Sequence, residues 1–570
     1  MAENKTWCSD EELVLLEQLC YLNDEVCDAA GVDRVQFNNL NGKTINTILK
    51  SFDKEALTNL RNYTNAKGGN TIDYIEGAEW ADIIETIQKS DLKDFEIVET
   101  VTFSDREGSA REKPDGRTDD LPLLIQYKDP AGPPNSRIVS FRGTLGYTDW
   151  RDNVLGLNEA QSKRQNRIAK YINGLNNYDV TVVGHSKGGN YAQYVSIMCG
   201  NVVRGISMDG QGMSGEFVKS NWRSIMKNSH KVTNISVDTD FVNVLLYALP
   251  GVEQKYVKGV GVMGAAQNHS PNSLFTINDG KLTMEYVEGP AESLQMIRDF
   301  STYVMKVATS EDRKQMAEYL GHIAGCLLGE EKRYKKELRR AVTSDPRAAV
   351  TTLAYVIKFA ETYNVSPTDI GKLMSDMGVV NKPTAFIATT FLEMAIVRHK
   401  FISSVIDVSL PGLAWLRKHT GLIDIKLRKI PDLNVESLPT GVEKLGAVID
   451  TARTIHIVPE CFDISYDSMN KQISYLTDAY SRLKSIYSAL LGAWIGQDQE
   501  AFQEASNNVQ NELKYRIQEA GWLSERIRDV KEDFVESDER NASRFAGTGP
   551  ATKESYGQLL KQAQEAVSDL

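Results

Sequence analysis

The residues with the clearest chemical spacing are Gly184-His185-Ser186-Lys187-Gly188, a G-x-S-x-G pentapeptide that follows the apolar run YDVTVV and precedes a helix-forming stretch. A strand that turns sharply into a helix at such a serine presents the hydroxyl at the sheet edge as a nucleophile. Gly184 and Gly188 leave room where strand and helix cross. A serine hydroxyl is a weak nucleophile at neutral pH, so an acid and a histidine are expected downstream. His269, in the polar segment AAQNHSPNS, follows the strand-like runs and is the expected base. His230 precedes the strand that should deliver the acid, and the turn should point His185 away from the serine. Three acids compete: Asp238 and Asp240 both end KVTNISVDTD, and Asp209 ends VVRGISMDG one strand earlier. Asp240 is favoured because it lies nearest the exit into a loop; capping a helix through FVNVLLYAL is its alternative duty. Oxyanion donors should be backbone amides. One is the N–H of Lys187, and the junction Phe141-Arg142-Gly143-Thr144 supplies another, with Thr144 offering its N–H and its hydroxyl.

The surrounding elements have to hold these groups together. From Arg137 the order is strand (RIVSFRG), helix (157–176), strand (YDVTVVG), helix (YAQYVSIM) and two more strands (VVRGISMDG and KVTNISVDTD). That order predicts an α/β sheet with crossover helices and its chemistry in loops at the carboxyl ends of the strands. Upstream, helices are expected within 10–30 and 42–60, and FEIVETVTF and LPLLIQYKD read as strands around a charged loop at 105–120. Residues 290–440 read as helices, those of 345–410 apolar enough for an acyl groove or for buried core. Beyond Pro459, Met469, Ile473, Leu476, Tyr480, Leu483, Tyr487 and Leu490 form one stripe. Val509, Leu513, Ile517, Ala520, Leu523, Ile527, Val530 and Phe534 form a second, predicting a helical hairpin. The expected division is a sheet domain (1–285), a helical middle region that connects or faces lipid (286–455), the hairpin (456–545), and a tail with a short helix (546–570).

Composition narrows the classes. The chain has 570 residues, 41% hydrophobic and 25% charged, enough for several packed domains. Its net charge of -12, from 65 Lys+Arg against 77 Asp+Glu, argues against a nucleic-acid partner. The six cysteines include no C-x-x-C pair and read as reduced core thiols. His322, His399 and His419 lack the spacing of a ligand pair, so neither a metal nor a cofactor is expected. The amino terminus has acidic residues where a secretory leader needs a basic start and an apolar run. The most apolar stretch, 385–398, is interrupted by Glu393, which predicts a soluble chain.

The run VSFRGT, the pair Asp149-Trp150, Asn153 and the segment VTVVGHSKGGNYA resemble the class 3 lipase branch of the α/β-hydrolases, and more closely the Mbeg1-like family of lipase-like proteins, over about residues 10–285. This resemblance implies an α/β-hydrolase fold with Ser186 as nucleophile, an acid after KVTNISV, His269 as base, and Thr144 with Lys187 at the oxyanion hole. Asp240 precedes Val242 by two positions, a spacing those lipases share, which raises it above Asp238. Lipid esters are the implied substrates.

The striped helices around Trp494-Ile495-Gly496, with Phe502 early in the second, resemble the WXG100 superfamily. Phe534-Val-Glu-Ser-Asp538 resembles its Y-x-x-x-D/E export signal, with phenylalanine in place of tyrosine. Together the two resemblances imply a secreted serine lipase or phospholipase A-type effector, exported by a type VII secretion system of a Gram-positive bacterium without a cleavable signal peptide. They also imply small helical WXG100-like export partners, the secretion machinery and a cognate immunity protein. Two other readings stay open: an intracellular non-lipid esterase or thioesterase, and a non-catalytic adaptor whose hairpin binds a partner.

Overall fold

The computed structural model describes residues 8–66, 68–72, 75–102, 121–144, 161–259, 268–278, 280–327, 346–363, 365–366, 411–432, 441–453, 459–493, 499–544 and 561–566. Asp149, Trp150, Asn153, Trp494, Ile495 and Gly496, the charged 105–120 segment and the apolar 385–398 stretch all lie outside the described residues. The chain forms two compact units, Met1–Asp450 with Leu560–Leu570, and Thr451–Leu559.

The first unit is mixed α/β around a nine-stranded sheet whose strands lie side by side in chain order: β1 (Lys43–Thr44), β2 (Glu96–Val101), β3 (Leu124–Lys128), β4 (Ser136–Phe141), β5 (Asp179–His185), β6 (Val202–Met208), β7 (Val232–Val237), β8 (Glu253–Val257) and β9 (Tyr286–Val287). Strands β4 to β8 pair in parallel, whereas β1 to β4 and the β8–β9 pair run antiparallel. Parallel neighbours need crossovers, and the helices Lys163–Gly174, Lys187–Met198 and Gly215–Asn228 supply them between β4 and β7. Ile138, Val139, Val180, Val182 and Val183 are fully buried, as expected for parallel strands covered on both faces.

Among the described residues, five short helices precede the parallel part: α1 (Asp10–Gln18), α2 (Asp24–Ala30), α3 (Ile45–Leu49), α4 (Lys54–Arg61) and α5 (Gly77–Lys89). Their apolar faces join one core with Ile138, Val183, Ile206, Ile235 and Val257 of the sheet. A reciprocal capping box between Ser9 and Glu12 starts α1. The helix expected over 10–30 is broken: a single 3-10 turn, Leu19–Tyr21, separates α1 from α2, which Asn23 caps by accepting the Val26 N–H at 3.0 Å. That break aims Tyr21 at the carboxyl ends of the strands. Continuing the numbering, the crossover helices are α6 (Lys163–Gly174), α7 (Lys187–Met198) and α8 (Gly215–Asn228).

FVNVLLYAL does not form the helix expected from its composition. It is a run of turns, tied down by the bridge between Tyr247 and Met213. The helices α9 (Glu292–Val307), α10 (Ser310–Leu327), α11 (Arg347–Tyr363) and α12 (Pro411–Leu427) enclose a second core through Tyr303, Met316, Tyr355, Ile357, Phe359 and Ile423. The described part of the 345–410 stretch, α11, contributes Val350, Ala354, Tyr355, Ile357 and Phe359 to this buried core. The Ser301 hydroxyl accepts the Leu246 N–H at 2.9 Å, and Arg298 donates to the Tyr256 hydroxyl at 3.0 Å, so this layer is tied to the sheet. Helix α13 (Gly441–Arg453) follows.

In the second unit, α14 (Pro459–Ala493) and α15 (Gln499–Arg544) run side by side in opposite directions, with Tyr487 edge-on to Phe502 and the Ser524 hydroxyl donating to Asn470 Oδ1 at 2.9 Å. None of the large apolar side chains described in the two stripes is buried; Leu476, Leu490, Val509 and Leu523 are exposed. Among the described residues, no helix is long and apolar enough to cross a membrane. Cys8, Cys20, Cys27 and Cys199 are buried free thiols, and burial pushes the Cys27 thiol up to about 11 and that of Cys199 to about 12.

Candidate active site

Ser186 is the single residue between β5 and α7, and its backbone takes φ 57° and ψ −119°. For a non-glycine residue this positive φ is strained, and the neighbouring packing holds it there. The Ser186 N–H donates to the Met208 carbonyl of β6 at 2.8 Å. The crossing of strand and helix excludes side chains at both flanking glycines: a methyl at Gly184 would strike the Gly188 carbonyl, and one at Gly188 the Phe141 carbonyl.

His269 Nε2 lies 2.7 Å from Ser186 Oγ, and His269 Nδ1 lies 2.7 Å from Asp240 Oδ1. A carboxylate only accepts, so Nδ1 carries the hydrogen and Nε2 accepts from the serine hydroxyl. Asp240 is fully buried, three residues past β7, and its second oxygen accepts the Asn243 backbone N–H at 2.8 Å and side-chain N–H at 3.1 Å. Asp238 faces elsewhere, accepting the Gly259 N–H at 3.1 Å. His230 sits exposed on a 3-10 turn before β7, on the far side of that strand from its carboxyl end. The loop carrying His269 is fixed from two sides. Gln18 of α1 donates to the Pro271 carbonyl at 3.1 Å, and Ser273 donates to the Ser270 carbonyl at 2.6 Å.

Lys187 is the first residue of α7, in the turn whose amides point out of the helix's positive end. Its side chain is buried, with Nζ 5.4 Å from the Tyr191 ring centroid. Thr144 is half-buried and directly follows Gly143, where a Cβ would come within 3.1 Å of Ser186 Cβ. The backbone before Thr144 and that of Lys187 thus both lie against the serine.

Beneath the imidazole lies a second buried layer. Asp209 is fully buried, takes φ 45°, and accepts the Val237 N–H at 2.8 Å. Burial, and then the neighbouring Asp240 charge, push its carboxyl well above the usual range. His185, expected to point away, stacks at 4.9 Å between ring centroids on His269, and its Nδ1 lies 2.9 Å from the Tyr21 hydroxyl. Burial keeps His185 neutral, its pKa far below the ordinary value. The ligand-type atoms of His185, Asp209 and His269 lie within 4.8 Å of one another. Three of the four imidazole nitrogens have hydrogen-bond partners in Ser186, Asp240 and Tyr21.

The structure brings together Ser186, His269 and Asp240, which the sequence singled out, and adds Tyr21, His185, Asn243 and Gln18, which it did not. Asn243 was legible as an Asx-type turn in Asp-Phe-Val-Asn. Tyr21 left no local signal, being 122 residues from Gly143.

Residues 132–321 match the protein-family model described as Mbeg1-like, a segment that runs from the approach to β4 into α10. The match supports the Mbeg1-like resemblance over that segment. Neither a curated protein nor a solved structure matches the chain.

Proposed function

We propose that this chain is a serine hydrolase of carboxylic esters, of lipase or phospholipase A type. The carrying observation is the continuous hydrogen-bonded line from Ser186 Oγ through the His269 imidazole to Asp240, each link 2.7 Å, on a serine held at φ 57°. In the proposed reaction Ser186 Oγ attacks the ester carbonyl carbon while His269 Nε2 takes the hydroxyl proton. The imidazolium is stabilised by Asp240. The Thr144 and Lys187 amides face the oxyanion. Collapse breaks the carbon–oxygen bond and His269 returns its proton to the leaving alcohol. Water, deprotonated by the same histidine, then attacks the acyl-enzyme, releasing fatty acid and restoring Ser186. No step requires a metal or cofactor.

Lipid is proposed as the substrate class on the class 3 lipase resemblance. The α14–α15 hairpin is proposed to bind small helical WXG100-like partners for type VII export, because Leu476, Leu490, Val509 and Leu523 of its stripes stay exposed along the paired helices. A cognate immunity protein belongs to the same reading. The test is mass spectrometry of products from a mixed-lipid digest, run with a chelator and compared with Ser186→Ala, together with fluorophosphonate labelling. Released fatty acid and a label on Ser186 are expected. Cleavage of soluble short esters alone would favour a non-lipid esterase, and failure to label any serine would favour a non-catalytic role.

A further inference from the structure

We infer that Tyr21, outside the segment that matches the family model, is a positioning residue for the oxyanion side of this site. The inference rests on the hydrolase reading above and adds a residue to it. The phenol of Tyr21 lies between the nucleophile's own strand and the strand end facing it. Its oxygen accepts the Gly143 N–H at 2.8 Å, and its O–H points to His185 Nδ1 at 2.9 Å. The Gly143 carbonyl is held on its other side, accepting from Arg142 Nη1 at 3.2 Å. Gly143 is thus clamped at both ends, against a serine whose Cβ a side chain at 143 would crowd. Two consequences follow from this geometry. The Gly143 amide is already committed to the phenol, and the Thr144 amide is the oxyanion donor of the hydrolase reading above. Tyr21 holds the peptide plane before Gly143 and Arg142 the plane after it, which carries the Thr144 N–H, so the two together fix the Gly143 dihedrals that aim that amide.

The supporting groups keep the clamp in one protonation state. Burial disfavours the imidazolium of His185, and the neutral tautomer with its hydrogen on Nε2 leaves Nδ1 to accept from the phenol, which burial keeps protonated. Tyr21 reaches this point because the 3-10 turn after α1 ends there. The same element holds the His269 loop through Gln18 and Pro271, so one amino-terminal segment braces both sides of Ser186.

The test compares the unsubstituted chain with Tyr21→Phe, which removes one oxygen and keeps the ring. Turnover of p-nitrophenyl butyrate, affinity for an alkyl boronic acid that forms a tetrahedral adduct on the serine, and thermal melting are measured. A fall in kcat of roughly 10- to 100-fold is expected, below the full loss of an oxyanion donor because the clamp acts through another group. KM should stay within about twofold, and boronate affinity should fall in step with kcat/KM. A kcat equal to that of the unsubstituted chain, or a loss confined to KM or to melting temperature, would overturn the inference. Should Tyr21→Phe fold poorly, His185→Gln, which keeps an acceptor for the phenol, is set against His185→Leu, which removes it. The latter should lower kcat at least about 5-fold further than the former, and equal losses would overturn the clamp. If the unsubstituted chain neither hydrolyses the ester nor labels at Ser186, the hydrolase reading fails, and this inference with it. Labelling of the unsubstituted chain with an undiminished Tyr21→Phe rate removes the inference alone.

Discussion

Asp238 and Asp240 leave the same strand two residues apart, yet one accepts from Gly259 and the other holds the imidazole. Asp240→Asn should therefore lower kcat by on the order of 10⁴-fold, because an amide can turn its N–H₂ toward Nδ1 and favour the wrong tautomer. Asp238→Asn should stay within a few-fold. Steady-state kinetics on variants with unchanged circular dichroism checks the pair, and equal losses would contradict the assignment. Asp209 supplies a pH test. Its carboxyl is raised in the folded chain and ordinary, near ~3.9, when unfolded. Above that value the native state retains a proton that the unfolded chain releases, so this group's contribution to stability declines as pH rises toward its folded pKa. Asp209→Asn removes that dependence. Its stability relative to the unsubstituted protein should climb with pH from about 4 and level off once Asp209 itself ionises in the fold. Urea melts across a pH series measure this, and a difference that does not vary with pH would count against a protonated Asp209.

At the scale of elements, the β5–α7 turn depends on backbone passing close to backbone. In Gly188→Ala the new methyl would strike the Phe141 carbonyl, and carbonyls within a ladder cannot step aside as a flexible side chain can. Alanine's helix propensity recovers up to about 1 kcal/mol relative to glycine. The overpacking costs on the order of 1–3 kcal/mol, so the clash prevails. Gly174, at the end of α6 with open space where its Cβ would sit, is the control: Gly174→Ala should be neutral or slightly stabilising. Thermal melting of both variants distinguishes an effect of the crossing from a general effect of replacing glycine. The hairpin differs in kind. Its inner contacts include buried Ser506 and Ser524, while Leu490 and Leu523 remain exposed. Leu490→Ser with Leu523→Ser should therefore leave helicity and ester hydrolysis unchanged while weakening capture of a co-expressed helical partner. A collapse of helicity would show instead that these side chains hold the hairpin together.

At the scale of the whole molecule, residues 560–570 group with the sheet unit although the hairpin unit precedes them, and Ala563 and Ala566 are buried. Replacing residues 452–558 with a flexible linker should retain ester hydrolysis, whereas stopping the chain at 450 should give a less stable enzyme. Hydrolysis rates and melting temperatures of the two chains check this, and loss of activity in the linker version would tie the hairpin to the chemistry. By itself the sequence determined the features that depend on near neighbours: the strand order from Arg137, the Gly184–Gly188 turn and the two stripes beyond Pro459. Each is a local pattern of apolar spacing or glycine placement, legible in a window of a few residues. The helix offered over FVNVLLYAL as the alternative duty of Asp240 does not form, and Tyr247 of that run bridges Met213 instead. Only the tertiary structure decided which of Asp238, Asp240 and Asp209 meets His269, that His185 stacks on it, and that Tyr21 reaches Gly143. Those pairings join side chains from separate strands and helices, and their distances are set by how the sheet twists and how α1 packs on it, a geometry that no single segment contains.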